Sequence, residues 1–189
     1  LNTSQMVIKI LINSCYGYMG NKNAPIGDDD IASSVTLTGQ AVIKYSNELI
    51  KEFIKKEIPD ISDRELEGCI VYNDTDSSYV SITPLVSKGL NFLDGDEIHQ
   101  DTHDKIQEIE DYLNKGVCDW AKKSLLSKDS RFVFKRECIA DVGVFLQKKR
   151  YVMHILDDEG IKENKFKYTG VEVVRTTMPN AINPYAKKI

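Results

Sequence analysis

A chain of 189 residues with 41% hydrophobic content can bury a core and form one or two domains. It holds no apolar run near the roughly 20 residues that a bilayer span needs, and its first residues alternate polar and apolar, unlike a signal peptide. The net charge of −4 hides an asymmetry: residues 57–111 carry 15 acidic and 3 basic side chains, residues 122–150 carry 9 basic and 3 acidic, which fits two solvated faces as well as a cation-binding region beside one for a polyanion.

The chain begins at Leu1 rather than Met, which suggests a piece of something longer. Residues 2–19 read as a helix with the apolar run Met6, Ile8, Ile10, Leu11 and Ile12; Gly17, Gly20 and the stretch Asn21 to Pro25 end it. Asp28, Asp29 and Asp30 suit the start of a second helix through capping and the dipole. That helix should run from about Ile31 to Glu57, stopped by Pro59. Residues 68–74 and 77–82 read as a β-hairpin with Asp74, Thr75 and Asp76 at or near its tip. A loop over 84–96 leads to a long amphipathic helix, about 97–126, with Ile98, Ile106, Ile109, Leu113, Val117, Trp120 and Leu125 as its stripe. Strands are expected at 131–140, 149–156 and 166–174, with a turn at 157–160 and a short final helix capped by Asn180. The implied class is α+β, an antiparallel sheet with helices packed on one face.

Cys15, Cys69, Cys118 and Cys138 form no C-x-x-C pair, so buried free thiols in a reducing cytoplasm are expected. His99 and His103 have the i, i+4 spacing of two metal ligands, but no third ligand follows at zinc spacing, and a solvated face explains them as well. His154 falls in a strand and reads as structural. No G-x-G-x-x-G or P-loop pattern occurs.

Two short stretches permit chemistry. In IVYNDTDSSY, residues 70–79, alternation would aim Asp74 and Asp76 the same way from a strand end. Their repulsion is relieved either by solvent at an ordinary turn or by a divalent cation such as Mg²⁺, which takes one or two carboxylates plus water and substrate phosphates. In KILINSCYG, residues 9–17, helical spacing puts Lys9, Asn13 and Tyr16 or Gly17 on one face. Lysine can hold a triphosphate and donate a proton to a leaving group. Asparagine and tyrosine can bond the minor-groove acceptors common to all base pairs. An amphipathic helix with a solvated lysine would look the same.

Together the two stretches are more specific. K-x-x-x-N-S-x-Y-G, followed some 55 residues later by D-T-D-S at a strand tip, resembles motifs B and C of family B DNA polymerases, with the phage type nearest. TLTGQ (36–40), KREC (135–138), KKRY (148–151) and GVEVVR (170–175) are similar to further elements of that family in the same order. The resemblance implies a polymerase palm over 28–189 and the C-terminal part of the fingers over 1–27. It implies Asp76 as the direct ligand of two catalytic Mg²⁺ ions, Asp74 as its support and Glu137 as an auxiliary carboxylate. Lys9 would face the nucleotide phosphates as general acid, with Asn13, Tyr16 and Gly17 around the nascent base pair. Lys148, Lys149, Arg150 and Tyr151 would hold the primer. Primer-template DNA and a dNTP are the implied partners, in the cytoplasm of a phage host or bacterium.

Two departures stand out. Asn73 occupies a position where the family usually has glycine; asparagine tolerates left-handed conformations, so the hairpin is expected to survive. No D-x-x-S-L-Y-P-type motif A occurs in the chain, nor the first half of the fingers, the exonuclease or the thumb. The implied partner is therefore the rest of a polymerase, without which the chain should be inactive. A subunit of a naturally split polymerase, or a non-catalytic DNA-binding module on the same scaffold, are the alternatives.

Overall fold

The computed structural model describes residues 3–171 except 26, 75, 127, 129 and 130. The expected cap at Asn180, and most of GVEVVR, lie outside the described residues. The chain divides into two units, residues 1–45 and 46–189, the boundary falling inside a helix.

The first unit holds α1 (Thr3–Met19) and the start of α2 (Asp29–Glu57). The connection between them is tied by its own backbone, with the Asp28 amide donating to the Met19 carbonyl at 2.9 Å. The Asp28 carboxylate then accepts from the amides of Asp30 and Ile31 at 2.9 and 3.1 Å. Two otherwise unpaired donors at the start of α2 are thereby satisfied, as the aspartate run leads one to expect. No residue of α1 is buried, and its apolar run is more than half exposed, Ile10 included. Cys15 is also exposed, contrary to the expectation of buried thiols; Cys69 is buried, and Cys118 and Cys138 are half-buried.

In the second unit, the end of α2 lies antiparallel to α5 (Gln100–Ser124). Leu49 faces Gly116, Phe53 meets Tyr112 at 5.5 Å between ring centroids, and Lys105 pairs with Glu57 at 3.0 Å. A Cβ at position 116 would come within 2.5 Å of Leu49 Cδ1, so a larger residue there would have to displace the buried Leu49 side chain. Leu49, Ile50, Phe53 and Ile54 of α2 and Ile109, Leu113, Val117 and Ala121 of α5 are buried, each large side chain stabilising the fold by about 1.5–3 kcal/mol. The start of α5 is capped by His99, whose Nδ1 accepts from the Asp101 amide at 3.1 Å. That gives the first histidine of the i, i+4 pair a local structural task.

Between these helices come α3 (Asp63–Gly68), β1 (Ile70–Asp74), β2 (Ser77–Val80), α4 (Thr83–Ser87), β3 (Leu93–Asp94) and β4 (Glu97–Ile98). The sequence leads one to expect a polar connection at α3, a loop over 84–96 where α4 and β3 stand, and the start of the long helix at 97–98, where β4 stands. Ser62 and Glu65 form a reciprocal capping box at α3, and Pro84 sits in the first turn of α4.

The last strands are β5 (Cys138–Gln147), β6 (Arg150–Asp158) and β7 (Ile161–Thr169), an antiparallel meander ordered β5-β6-β7. Strict alternation in β6 buries Tyr151, Met153, Ile155 and Asp157 on one face. Asp157 is paired with Arg136 and accepts from the Gly160 amide at 3.0 Å. Residues 131–137 are not strand, although they alternate. Asn114 of α5 accepts from the Phe134 amide at 2.7 Å and donates to its carbonyl at 2.9 Å, and Glu110 accepts from the Arg136 amide at 2.9 Å. Side chains of a helix thus take the backbone groups that a ladder would have used. The α+β class holds, and every described strand pairing is antiparallel, but the strands form three separate small sheets rather than one.

Candidate active site

The β1–β2 hairpin pairs Tyr72 with Tyr79, Asn73 with Ser78 and Asp74 with Ser77, and Asp76 lies in its turn. Alternation therefore governs Asp74 alone: it is half-buried at the strand end, while Asp76 is exposed within the turn. Asn73 does not use the left-handed freedom expected of it, since it is absent from the positive-φ residues and keeps a regular strand pairing.

Tyr72 and Tyr79 share a face and lay it on β5 and β6. Their rings, with Phe145 and Tyr151, form a cage with centroid separations of 5.3–5.9 Å. Such pairs add about 0.5–1.5 kcal/mol each beyond area burial. The Tyr79 and Tyr151 hydroxyls meet at 2.7 Å. Burial, and then this bond, push the Tyr79 phenol far above its ordinary range, so it stays neutral.

The cage brings the β5–β6 turn, Lys148–Lys149, to the aspartate tip. The Lys149 amide donates to the Tyr72 hydroxyl at 2.8 Å, and its Nζ lies 3.8 Å from Asp74 Oδ1. Lys149 has φ 61°, and a Cβ on Gly170, itself at φ 62°, would overlap the Lys149 carbonyl oxygen. Arg150 pairs with Gln147 beyond the turn. Tyr151 is buried, its hydroxyl engaged by Tyr79, so its described contacts lie inside the protein.

Glu137 lies before β5, at the opposite end of that strand from Lys148 and Lys149. Its Oε1 is 3.6 Å from Lys167 Nζ, and its carbonyl accepts from the Glu159 amide at 2.7 Å. Lys9, Asn13, Tyr16 and Gly17 belong to α1 in the other unit. Lys9 and Asn13 line one shallow groove with Gln5, Ile8 and Ile12, while the Tyr16 hydroxyl donates to the Ala32 carbonyl at 3.4 Å.

Among the described residues, no three or more His, Cys, Asp or Glu side chains come together as a metal cluster. Asp74 and Asp76 are hard oxygen donors, and two carboxylates match what Mg²⁺ takes from a protein when substrate phosphates supply further oxygens. The tip fits as part of such a donor set.

Sequence reading missed the cage, Gly170 as the seat of the Lys149 carbonyl, and Asn47, which bonds the hairpin from α2. The cage had a signal. With Asp74 set opposite Ser77, antiparallel pairing sets Tyr72 opposite Tyr79. No sequence pattern announces Asn47.

Comparison with known proteins gives a consistent picture. A profile described as "DNA polymerase family B" matches residues 1–114. The chain is 28% identical to a "DNA-directed DNA polymerase" of Escherichia phage RB69 over 98% of its own length and 22% of that protein. It is 29% identical to a protein of the same description from Enterobacteria phage T4, covering 96% and 21%. It is 30% identical to a "DNA polymerase" of Trichoplusia ni ascovirus 2c, covering 93% and 14%. The chain thus spans about a fifth of the length of the two phage relatives.

Proposed function

Because the chain belongs to DNA polymerase family B, we propose that it supplies the palm and the C-terminal part of the fingers of a phage-like DNA-directed DNA polymerase. The observation that carries this reading is the pairing of two motif elements in space. The Asp74–Asp76 tip and the Lys148–Lys149 turn, far apart in sequence, meet through Tyr72 and the Asp74–Lys149 contact.

The reaction is nucleotidyl transfer. The primer 3′-hydroxyl attacks the α-phosphate of a dNTP, a new phosphodiester bond forms, and pyrophosphate leaves. Asp76, supported by Asp74, would hold Mg²⁺, which when bound neutralises charge on the reacting phosphates. Lys149 lies beside Asp74 and would bring positive charge to the primer backbone with Lys148 and Arg150. Tyr151 would fix that turn from beneath. Contacts of this kind give affinity without reading sequence. Lys9 would bind the triphosphate and protonate the leaving pyrophosphate, with Asn13, Tyr16 and Gly17 shaping the pocket for the base pair. Glu137, whose described ion-pair partner is Lys167, enters only as an auxiliary carboxylate.

A motif A aspartate has no counterpart in the 189 residues, so it would come from elsewhere in the polymerase, with the exonuclease and thumb. The chain by itself should therefore not extend a primer. In the longer or reassembled polymerase, Asp76→Ala should lower the primer-extension rate about 100-fold or more, several kcal/mol of lost stabilisation. Unchanged extension would overturn the site assignment.

A further inference from the structure

The hairpin that carries Asp74 and Asp76 has four paired positions and an irregularity between Ile70 and Tyr72. A lone two-stranded hairpin is marginal in water, and like charges at its tip work against it. The aromatic cage holds one face. On the other face, at the ladder pair just below the tip, Asn47 of α2 reaches both strands. Its Nδ2 donates to Asn73 Oδ1 at 3.3 Å, and its Oδ1 lies 3.0 Å from Ser78 Oγ. Ser78 Oγ is also 2.8 Å from Asn73 Oδ1, so its single proton has two acceptors and the three side chains close a triangle. Asn47 stands on the stretch of α2 that buries Ser46, Leu49 and Ile50 and is thereby anchored.

We propose that Asn47, Asn73 and Ser78 form a strap that positions the Asp74–Asp76 tip for the reaction proposed above. Asn73 is the centre of this device. A glycine at that position offers no side chain to either partner, so the strap belongs to chains that carry a polar residue there. Gripped on both faces, the tip keeps a fixed place relative to the Lys149 turn. Displacement by about 1 Å can cost on the order of 100-fold in rate.

The test compares Asn73→Gly, Asn47→Ala, the double variant and Ser78→Thr in the longer or reassembled polymerase. Two readouts are independent: amide hydrogen exchange over residues 70–80, and the Mg²⁺ concentration giving half-maximal primer extension. Both single variants should exchange faster at the tip by about fivefold, the loss of one ordinary hydrogen bond, and should need several-fold more Mg²⁺. Each single variant leaves Ser78 one of its two acceptors, whereas the double variant removes both, so the double variant should exchange faster than either single. Ser78→Thr keeps the hydroxyl and should behave as the parent. Unchanged exchange and Mg²⁺ demand in Asn47→Ala, or a double variant that exchanges no faster than Asn73→Gly, would overturn the strap. If Asp76→Ala leaves extension intact, the polymerase reading of the tip falls, while the exchange rates still decide whether the strap exists.

Discussion

Lys149 holds a left-handed backbone at φ 61°, which costs a non-glycine residue roughly 1–2 kcal/mol. It persists because Tyr72 takes its amide and Gly170 leaves room for its carbonyl. Gly170→Ala would put a Cβ into that carbonyl at a φ disfavoured for alanine. The variant should lose about 2 kcal/mol or more of stability in a thermal or urea melt, and should weaken DNA binding as the turn shifts. His154 makes a separate prediction. Its ring nitrogens face Asn164 Oδ1 and Asp141 Oδ1, each at 2.8 Å. Only the protonated ring donates to both, so the bond to Asn164, then that to Asp141, raises its pKa above 6.5. A pKa raised on folding adds stability that is complete below the unfolded value and fades as pH rises through the raised one. The unfolding free energy read from urea melts should therefore fall as pH climbs from about 6.5, by no more than about 1 kcal/mol, and His154→Gln should flatten that dependence.

At the scale of elements, the strongly patterned pieces were legible. Both long helices and the hairpin stand within a few residues of where periodicity and punctuation put them, because capping aspartates, Pro59 and the apolar stripe act locally. The stretch 131–137 was not legible. Its alternation is that of a strand, yet Asn114 and Glu110, 20 and 26 residues upstream on α5 of the groups they bond, claim its backbone. Asn114→Ala should leave the Phe134 amide and carbonyl without partners in a part-buried place. The expected loss is about 1–3 kcal/mol, read as a lowered melting midpoint with α5 helicity retained. The candidate site divides the same way. The tip and the lysine turn could be read as motifs. What holds them, the cage and the Asn47 contact, depends on which faces meet, and a single strand's sequence does not encode that.

At the scale of the molecule, charge is the governing feature. Residues 57–111 sum to about −12 and residues 122–150 to about +6. The Lys148–Lys149 turn lies in the basic stretch and is held at the aspartate tip. Each lysine that neutralises a phosphate releases counterions, so Lys148→Ala with Lys149→Ala should reduce the slope of log affinity against log salt by roughly 1.8 for duplex DNA. A slope unchanged by the double substitution would place the DNA elsewhere. Among the described residues no helix is long and apolar enough to cross a membrane.

The bonds from Tyr72 to Lys149 and from Tyr79 to Tyr151 join residues 77 and 72 apart in sequence. During synthesis the aspartate hairpin leaves the ribosome long before the surface that will support it. A marginal two-stranded ribbon must wait for β5 and β6, and closing so long a loop is an entropic cost met late in folding. The aspartate tip should accordingly gain its protection against hydrogen exchange last, after the α2–α5 pair, in a pulse-labelled refolding experiment.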